Sequence, residues 1–412
     1  MATGQLPAQA LEGHEFYGEL GLNGELRIVN GLLPALIKAK AAGNRSIIPL
    51  AGLVEASLLS EGDILGAAHL LDVCRYLIEG TPLNSPPERV EQDLDYGVDL
   101  ADVRGQHQAK RALEVAASGQ HSLLMVGPPG AGKSMLAQRL VSLMPPLDET
   151  QALEVAALRS VAGERLEPTR FFQRQLRSPH HTSSAAAIIG GGQNPKPGAL
   201  SLAHFGLIFF DEMPEFNRDV LEALREPLET KQVHIARVKQ HITFPCDTLF
   251  IGAFNPSPSG FFADDPRCKD TPDQIARYQR KISGPILDRI DLHLQVPAVE
   301  VDQLTAAPDE HAETSAQVRV RVADVRMRQI QRQGCLNAEL SVSQLEEHVT
   351  LSPEAQAFLK QGIERLGLSA RSYHKILRIA RTLADMAASE SVENQHLAEA
   401  LGYRSLERQG LA

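Results

Sequence analysis

The octet Gly127–Ser134, "GPPGAGKS", fits the spacing G-x-x-x-x-G-K-[ST]. Its glycines allow successive backbone N–H groups to turn inward without a clashing Cβ, and it opens onto a helical pattern whose amino end is electropositive. Such a loop suits the phosphates of a nucleotide. Gly127, Pro128, Pro129, Gly130, Ala131, Gly132 and Met135 supply the cradle, Lys133 reaches the β- and γ-phosphates, and the Ser134 hydroxyl coordinates Mg²⁺. ATP and Mg²⁺ are therefore the expected cofactors. A Gly/Pro turn without a ligand is the plain alternative, and the position between an apolar strand and a helix argues against it.

Partners for that loop stand further along the chain. In "LIFFDE" (Leu207–Glu212) four apolar residues deliver two acids to the carboxyl end of a buried strand, where α/β sheets bind ligands. Asp211 is expected to hold Mg²⁺ through water, and Glu212 to activate the attacking water as general base. A solvated turn is the bland reading of such a pair. "FIGAFNPSPSG" ends a third strand in Asn255, whose neutral amide can align the water without upsetting the charge balance; a turn-capping Asn before proline competes with that role. Arg289, in "GPILDRIDLHL", precedes an apolar strand and reads as an exposed finger for a neighbouring subunit's γ-phosphate. Arg371 opens the amphipathic stretch "SARSYHKILRIARTLADM". A cation at a helix amino end opposes the dipole, so Arg371 calls for a counter-anion, either a phosphate or a surface carboxylate. It is preferred to Arg378 as a phosphate sensor.

These residues require a parallel sheet covered by helices. From Leu100 the pattern alternates, with strands at 122–127, 206–212 and 248–255 and helices at 105–118, 133–143, 148–159 and 217–226. Helical patterns then follow at 315–333, 352–366, 371–388 and 393–401, which suggests a lid. The front of the chain reads as a small α/β unit, with a helix over Ala35–Gly43 behind Pro34 and a strand in "SIIPLAG". The proline-, serine- and acid-rich stretch after it is a linker. The expected divisions are 1–81, 82–98, 99–305 and 306–412.

With 412 residues, 43% of them hydrophobic, the chain can build two or three cores. No signal peptide is expected, the apolar runs are too short for a membrane span, and the cysteines (Cys74, Cys246, Cys268, Cys335) are scattered. A cytoplasmic setting is expected. The net charge of -10 argues against a generic nucleic-acid coat, but residues 1–100 carry six basic against fourteen acidic residues, which leaves the rest nearly neutral. Basic strips stand at Lys231, Arg237 and Lys239, and at Arg319, Arg321, Arg326, Arg328 and Arg332. Strips of this kind are solvated faces or phosphate-binding ones.

Strand, loop, helix, acidic pair, Asn, Arg and helical lid together resemble the AAA+ ATPases. "RSPHHTSSAAAIIGGGQNPKPGALSLAHFGLIFFDEMPEF" (Arg177–Phe216) looks like their magnesium-chelatase-related branch, which inserts a segment before the acidic strand. "ETKQVHIARVKQHITFPCDTLFIGAFNP" resembles that branch's β-hairpin, which projects into the ring pore of related helicases. "KISGPILDRIDLHLQVP" and "SARSYHKILRIARTLAD" are similar to the ComM/YifB family of competence-associated bacterial proteins. "EFYGELGLNGELRIVNGLLPALIKAKAAGNRSIIPL" resembles the second half of a Lon-protease-like domain, with Leu33 where the protease has its lysine, so peptidase chemistry is excluded. The short start "MATG" before a half-domain suggests a fragment.

The resemblance implies an α/β fold: a P-loop AAA+ parallel sheet, an α-helical lid and a partial Lon-protease-like domain in front. It also implies a hexameric motor with nucleotide at its subunit interfaces, acting on single-stranded or branched DNA. Such a motor would migrate branches during recombination of incoming DNA in natural transformation. Lys231, Arg237 and Lys239 on the hairpin would grip DNA phosphates in the pore. The rivals are a chelatase-type ATPase subunit that remodels a protein partner, and a nucleotide switch that does not hydrolyse. Many relatives carry CPCG after the Asn strand and a further cysteine pair. Here Pro256-Ser257-Pro258-Ser259 and a solitary Cys268 replace them, so no zinc is expected, and His180 and His181 read as structural or substrate-facing.

Overall fold

A computed structural model describes residues 6, 8–89, 94–237, 240–298, 311–404 and 406. Two compact units form: residues 1–94 with 146–173 and 193–197, and residues 95–145 with 174–192 and 198–412.

In the first unit a parallel sheet orders the strands His14–Phe16, Arg45–Pro49 and Ile64–Ala67. Helix Leu32–Ala41 buries Leu32, Leu33, Leu36 and Ala39 and packs on helix Glu149–Ala162, which comes from much later in the chain. That later helix forms where the periodicity predicts it, with a capping box between Asp148 and Gln151. Its position in the first unit is tied by Ser160, which accepts from Leu33 N at 3.3 Å, and by Arg89, which donates twice to Glu149 at 3.1 Å. The strands His14–Phe16 and Ile64–Ala67 and helix Leu70–Glu79 were not legible in the pattern; the strands are three and four residues long, too short for a period-2 signal.

The second unit is built on five parallel strands in the order Leu292–Gln295, Leu123–Val126, Leu249–Phe254, Leu207–Phe210, Leu176–Arg177. In chain order this is 5-1-4-3-2. The three inner strands are apolar and fully buried because helices cover both faces. The connections from the neighbouring strands Leu123–Val126 and Leu249–Phe254 leave in opposite directions, so a crevice opens between their carboxyl ends, where open α/β sheets bind ligands. Helices Lys133–Leu143 and His107–Gly119 cover one face, and Ser315–Gln333 and Ala370–Met386 pack onto them. One apolar core runs through all four, so the C-terminal helices belong to this unit's interior. The fold is the expected α/β class.

The basic strip on Ser315–Gln333 is largely absorbed by this packing. Arg319 donates to Ser142 O, Arg326 to Ala117 O and Arg328 to Asp385 O, while Arg332 pairs with Asp385 at 2.5 Å. Arg321 and Arg328 stay exposed, Arg321 paired with Glu114 and Glu313, so the strip is part packed and part solvated. Among the described residues no helix is long and apolar enough to cross a membrane.

Candidate functional site

The strand Leu123–Val126 ends in Gly127, where a Cβ would lie 2.1 Å from Val296 O. Only glycine allows the backbone this close to the neighbouring strand's end. Gly132 sits at φ +87° directly before helix Lys133–Leu143, a conformation that side chains disfavour. The loop so shaped borders a cavity of about 350 Å³ lined by Pro129–Met135, Asp211, Glu212, Phe254 and Asn255.

Three strand ends converge on it. Lys133, 8% exposed, donates to Gly127 O at 2.7 Å, Pro128 O at 3.0 Å and Asn255 Oδ1 at 3.0 Å. Burial pushes its ammonium below the ordinary lysine range, and the Asp211 and Glu212 carboxylates partly offset that. The Ser134 hydroxyl donates to Asp211 Oδ2 at 2.6 Å. Two hard oxygen ligands so placed, beside a glycine-shaped cradle, fit Mg²⁺ and a polyphosphate. Glu212 follows in the left-handed region (φ 52°, ψ 47°), rare for a side-chain-bearing residue, with its N–H donating to Asp211 Oδ1 at 3.0 Å. Its carboxylate is 55% exposed and stands 3.8 Å from His181 Nδ1. The histidine is thus a neighbour of the acid, a contact that local sequence could not reveal.

Beyond the Asn255 strand, Ser257 and Ser259 hydrogen-bond each other at 3.2 Å, Ser259 N donates to Asp270 at 2.7 Å, and Cys268 lies beside both serines.

The two arginines stand elsewhere. Arg289 and Arg371 line a different cavity, of about 550 Å³, together with Gln120, Thr248, Lys375 and Arg378. Gln120 and Thr248 precede strands whose carboxyl ends carry Gly127 and Asn255, so this cavity is at the opposite edge of the sheet. The six extended residues Leu249–Phe254 separate Thr248 from Asn255, roughly 20 Å. Arg289 differs from expectation: its side chain is 14% exposed, paired with Glu229 at 2.5 Å and donating to Pro285 O at 2.5 Å. Arg371 is 70% exposed, and the nearest carboxylate is Asp288 at 3.9 Å, so the dull alternative of a surface acid is present. Arg378 donates to Leu340 O at 2.9 Å.

Sequence reasoning missed a buried pair beneath them. Lys375 Nζ lies 3.0 Å from Asp291 Oδ1, and Ser122 N and Oγ both donate to Asp291 Oδ2 at 3.2 Å. Burial alone would raise the Asp291 carboxyl, but Lys375 and His121 outweigh it and hold the group below the usual carboxylate range. Eighty-four residues separate the partners, so no local spacing signals them.

Of the proposed hairpin contacts, Lys231 lies at the base, before strand Gln232–Arg237, with its ammonium against Asp247 and Glu339. Arg237 ends that strand opposite Gln240, and Lys239 is outside the described residues.

Comparison with known proteins agrees with this geometry. Residues 99–304 match the family described as magnesium chelatase, subunit ChlI, and residues 312–404 its C-terminal counterpart. The chain is 42% identical to "Competence protein ComM" of Haemophilus influenzae over 99% of its length and 81% of the relative's. To "Uncharacterized protein YifB" of Salmonella typhimurium it is 41% identical, over 99% and 80%. A more distant similarity, 25% over 48% of the chain and 26% of the relative, is to "Probable DNA helicase MCM9" of Arabidopsis thaliana. The chain belongs to the ComM/YifB family of magnesium-chelatase-related AAA+ ATPases.

Proposed function

We propose that the protein is an ATP-driven DNA motor, a ring of six copies in the cytoplasm, which moves branch points during recombination of incoming DNA. The observation that carries the reading is that Arg289 and Arg371 sit at the opposite edge of the sheet from the phosphate loop. Neither can serve its own chain's loop across roughly 20 Å, so a hydrolysing assembly needs a second copy that presents its arginine edge to the first copy's phosphates. A head-to-tail contact of that kind gives a ring when the rotation between copies closes.

In this reading the loop amides and Lys133 bind the triphosphate. Ser134 and Asp211 would hold Mg²⁺, which supplies charge neutralisation at the phosphate oxygens when bound. Asn255, already fixed by Lys133, aligns a water. Glu212 takes the water's proton as its oxygen bonds to the γ-phosphorus; the bond to the β–γ bridging oxygen breaks and its electron pair stays on ADP. The neighbour's Arg289 and Arg371 stabilise the charge that develops, once Arg289 exchanges Glu229 for phosphate. Competence and helicase activity are named in relatives and support DNA as the track.

The test is ATP turnover with and without single-stranded or forked DNA, beside gel retardation at low salt. Stimulation and retardation are expected. Turnover indifferent to DNA, with no retardation, would favour the chelatase-type remodelling of a protein partner.

A further inference from the structure

Beyond the phosphate loop the crevice continues. Glu212 and Asn255, which line the loop cavity, also line a second of about 440 Å³, whose far wall is Arg277 and Lys281. Those two residues in turn line a third, of about 570 Å³, with Arg218 and Arg280 on its rim and His181 on its near side. Each cavity shares residues with the next, so the three adjoin in a row.

The charges along the row change sign. At the start stand the carboxylates of Asp211 and Glu212. At the end stand four permanent cations against one acid, Glu215, which pairs with Lys281 at 3.2 Å. Arg277 leans on no carboxylate within ion-pair distance among the described residues, nor do Arg218 and Arg280. This concentration of positive charge lies in a chain of net charge -10. Guanidinium groups offer paired N–H donors that match phosphate oxygens, and of the three that line this hollow Arg218 has Glu222 near it while Arg277 and Arg280 face no paired acid among the described residues. Between the two ends Tyr278 is a neutral phenol, its pKa pushed up to about 12 by burial and by Glu215 and Glu212.

We infer that the third cavity is a second phosphate site, which takes the inorganic phosphate released at Glu212. This rests on the hydrolytic reading above. Once the γ-phosphoryl group has left ADP it is a free dianion facing Asp211 and Glu212. Once Glu212 gives up the proton it took, like charge drives the phosphate from both carboxylates, and Arg277 and Lys281 are the first cations it meets on the side away from the loop. His181 borders both Glu212 and the receiving cavity, so an anion lodged there draws on the same imidazole that faces the general base.

The experiment is a ³¹P NMR titration of the full chain with inorganic phosphate, run free and with MgADP, on wild type and on Arg218→Gln/Arg277→Gln/Arg280→Gln. Saturable phosphate binding to wild type with MgADP is expected, weakened by at least about tenfold in the triple variant while MgADP affinity is unchanged. The corresponding triple lysine variant should recover part of the binding, which a folding defect would not allow. No saturable binding by wild type, or equal binding by the glutamine variant, overturns the proposal. Displacement of the phosphate by forked DNA also overturns it, since the cavity would then take a backbone phosphate rather than the product. Wild type that binds phosphate but not MgADP would instead sink the hydrolytic reading.

Discussion

At the scale of single residues, Lys133 and Glu212 do different work although they face the same 350 Å³. Lys133 is buried, depressed in basicity and held by three acceptors, so it is preorganised for phosphate oxygens rather than for a flexible surface role. Lys133→Ala removes a charged hydrogen-bonding group and should weaken MgATP binding by about 2–3 kcal/mol, roughly 30- to 150-fold, as read by calorimetry. Glu212 is half in solvent and set by a left-handed backbone, poised toward the cavity without touching the loop. Glu212→Gln keeps the shape and removes the base, so turnover should fall about 10²- to 10⁴-fold with binding intact. A variant that loses binding and turnover together would assign Glu212 to nucleotide affinity. Both residues were legible in the sequence because the loop and the acidic strand are local patterns with local causes. His181 beside Glu212 was not, because thirty residues lie between them in the chain and no local spacing links the two.

At the scale of elements, the pair between Lys375 of helix Ala370–Met386 and Asp291 at the start of strand Leu292–Gln295 ties the helix bearing Arg371 and Arg378 to the turn bearing Arg289. Ser122 completes the tie, its N–H donating to Asp291 and its hydroxyl placed to donate to Arg289 O, each at 3.2 Å. Asp291→Asn leaves a buried ammonium without its counter-charge and should cost about 3–5 kcal/mol in urea unfolding, while Asp291→Asn/Lys375→Met should recover much of it. The pH dependence follows from the depressed Asp291 carboxyl. A lowered folded-state pKa contributes stability above the unfolded value, about 4, and loses it as pH falls further. The stability gap between wild type and Asp291→Asn should therefore be full at pH 6 and shrink below pH 4. An unchanged gap across that window would mean that the carboxylate's charge is not what holds the helix. The elements themselves were largely legible: helices 133–143 and 315–333 match the periodicity residue for residue, because each has a stop signal and an apolar stripe. Helix 217–226 was not, since Pro227 falls in its continuation and the chain forms two short helices, Arg218–Ala223 and Arg225–Thr230. Packing was less legible than existence, as helix Glu149–Ala162 and the arginines of Ser315–Gln333 both illustrate.

At the scale of the molecule, the 5-1-4-3-2 sheet separates the groups proposed to bind phosphate from the arginines that would stabilise its transfer, one set at each end of the strands. In the proposed reading a single copy holds two half-sites and no whole one. The consequence can be tested with two inactive variants. Lys133→Ala has an intact arginine edge but no loop, and Arg289→Ala has an intact loop but no finger. Each alone should be near the background rate, the second with MgATP affinity preserved, because Arg289 does not touch its own chain's loop. Mixed in equal amounts and allowed to reassemble, they form some interfaces in which a sound loop faces a sound arginine. With random, head-to-tail assembly these are about one interface in four, so ATP turnover should return to about a quarter of wild type. Recovery depends only on two copies sharing a site, and it requires no DNA. A mixture that stays as inactive as its components, while sedimentation finds them co-assembled, would place loop and arginine in separate functions and return Arg289 to its pair with Glu229.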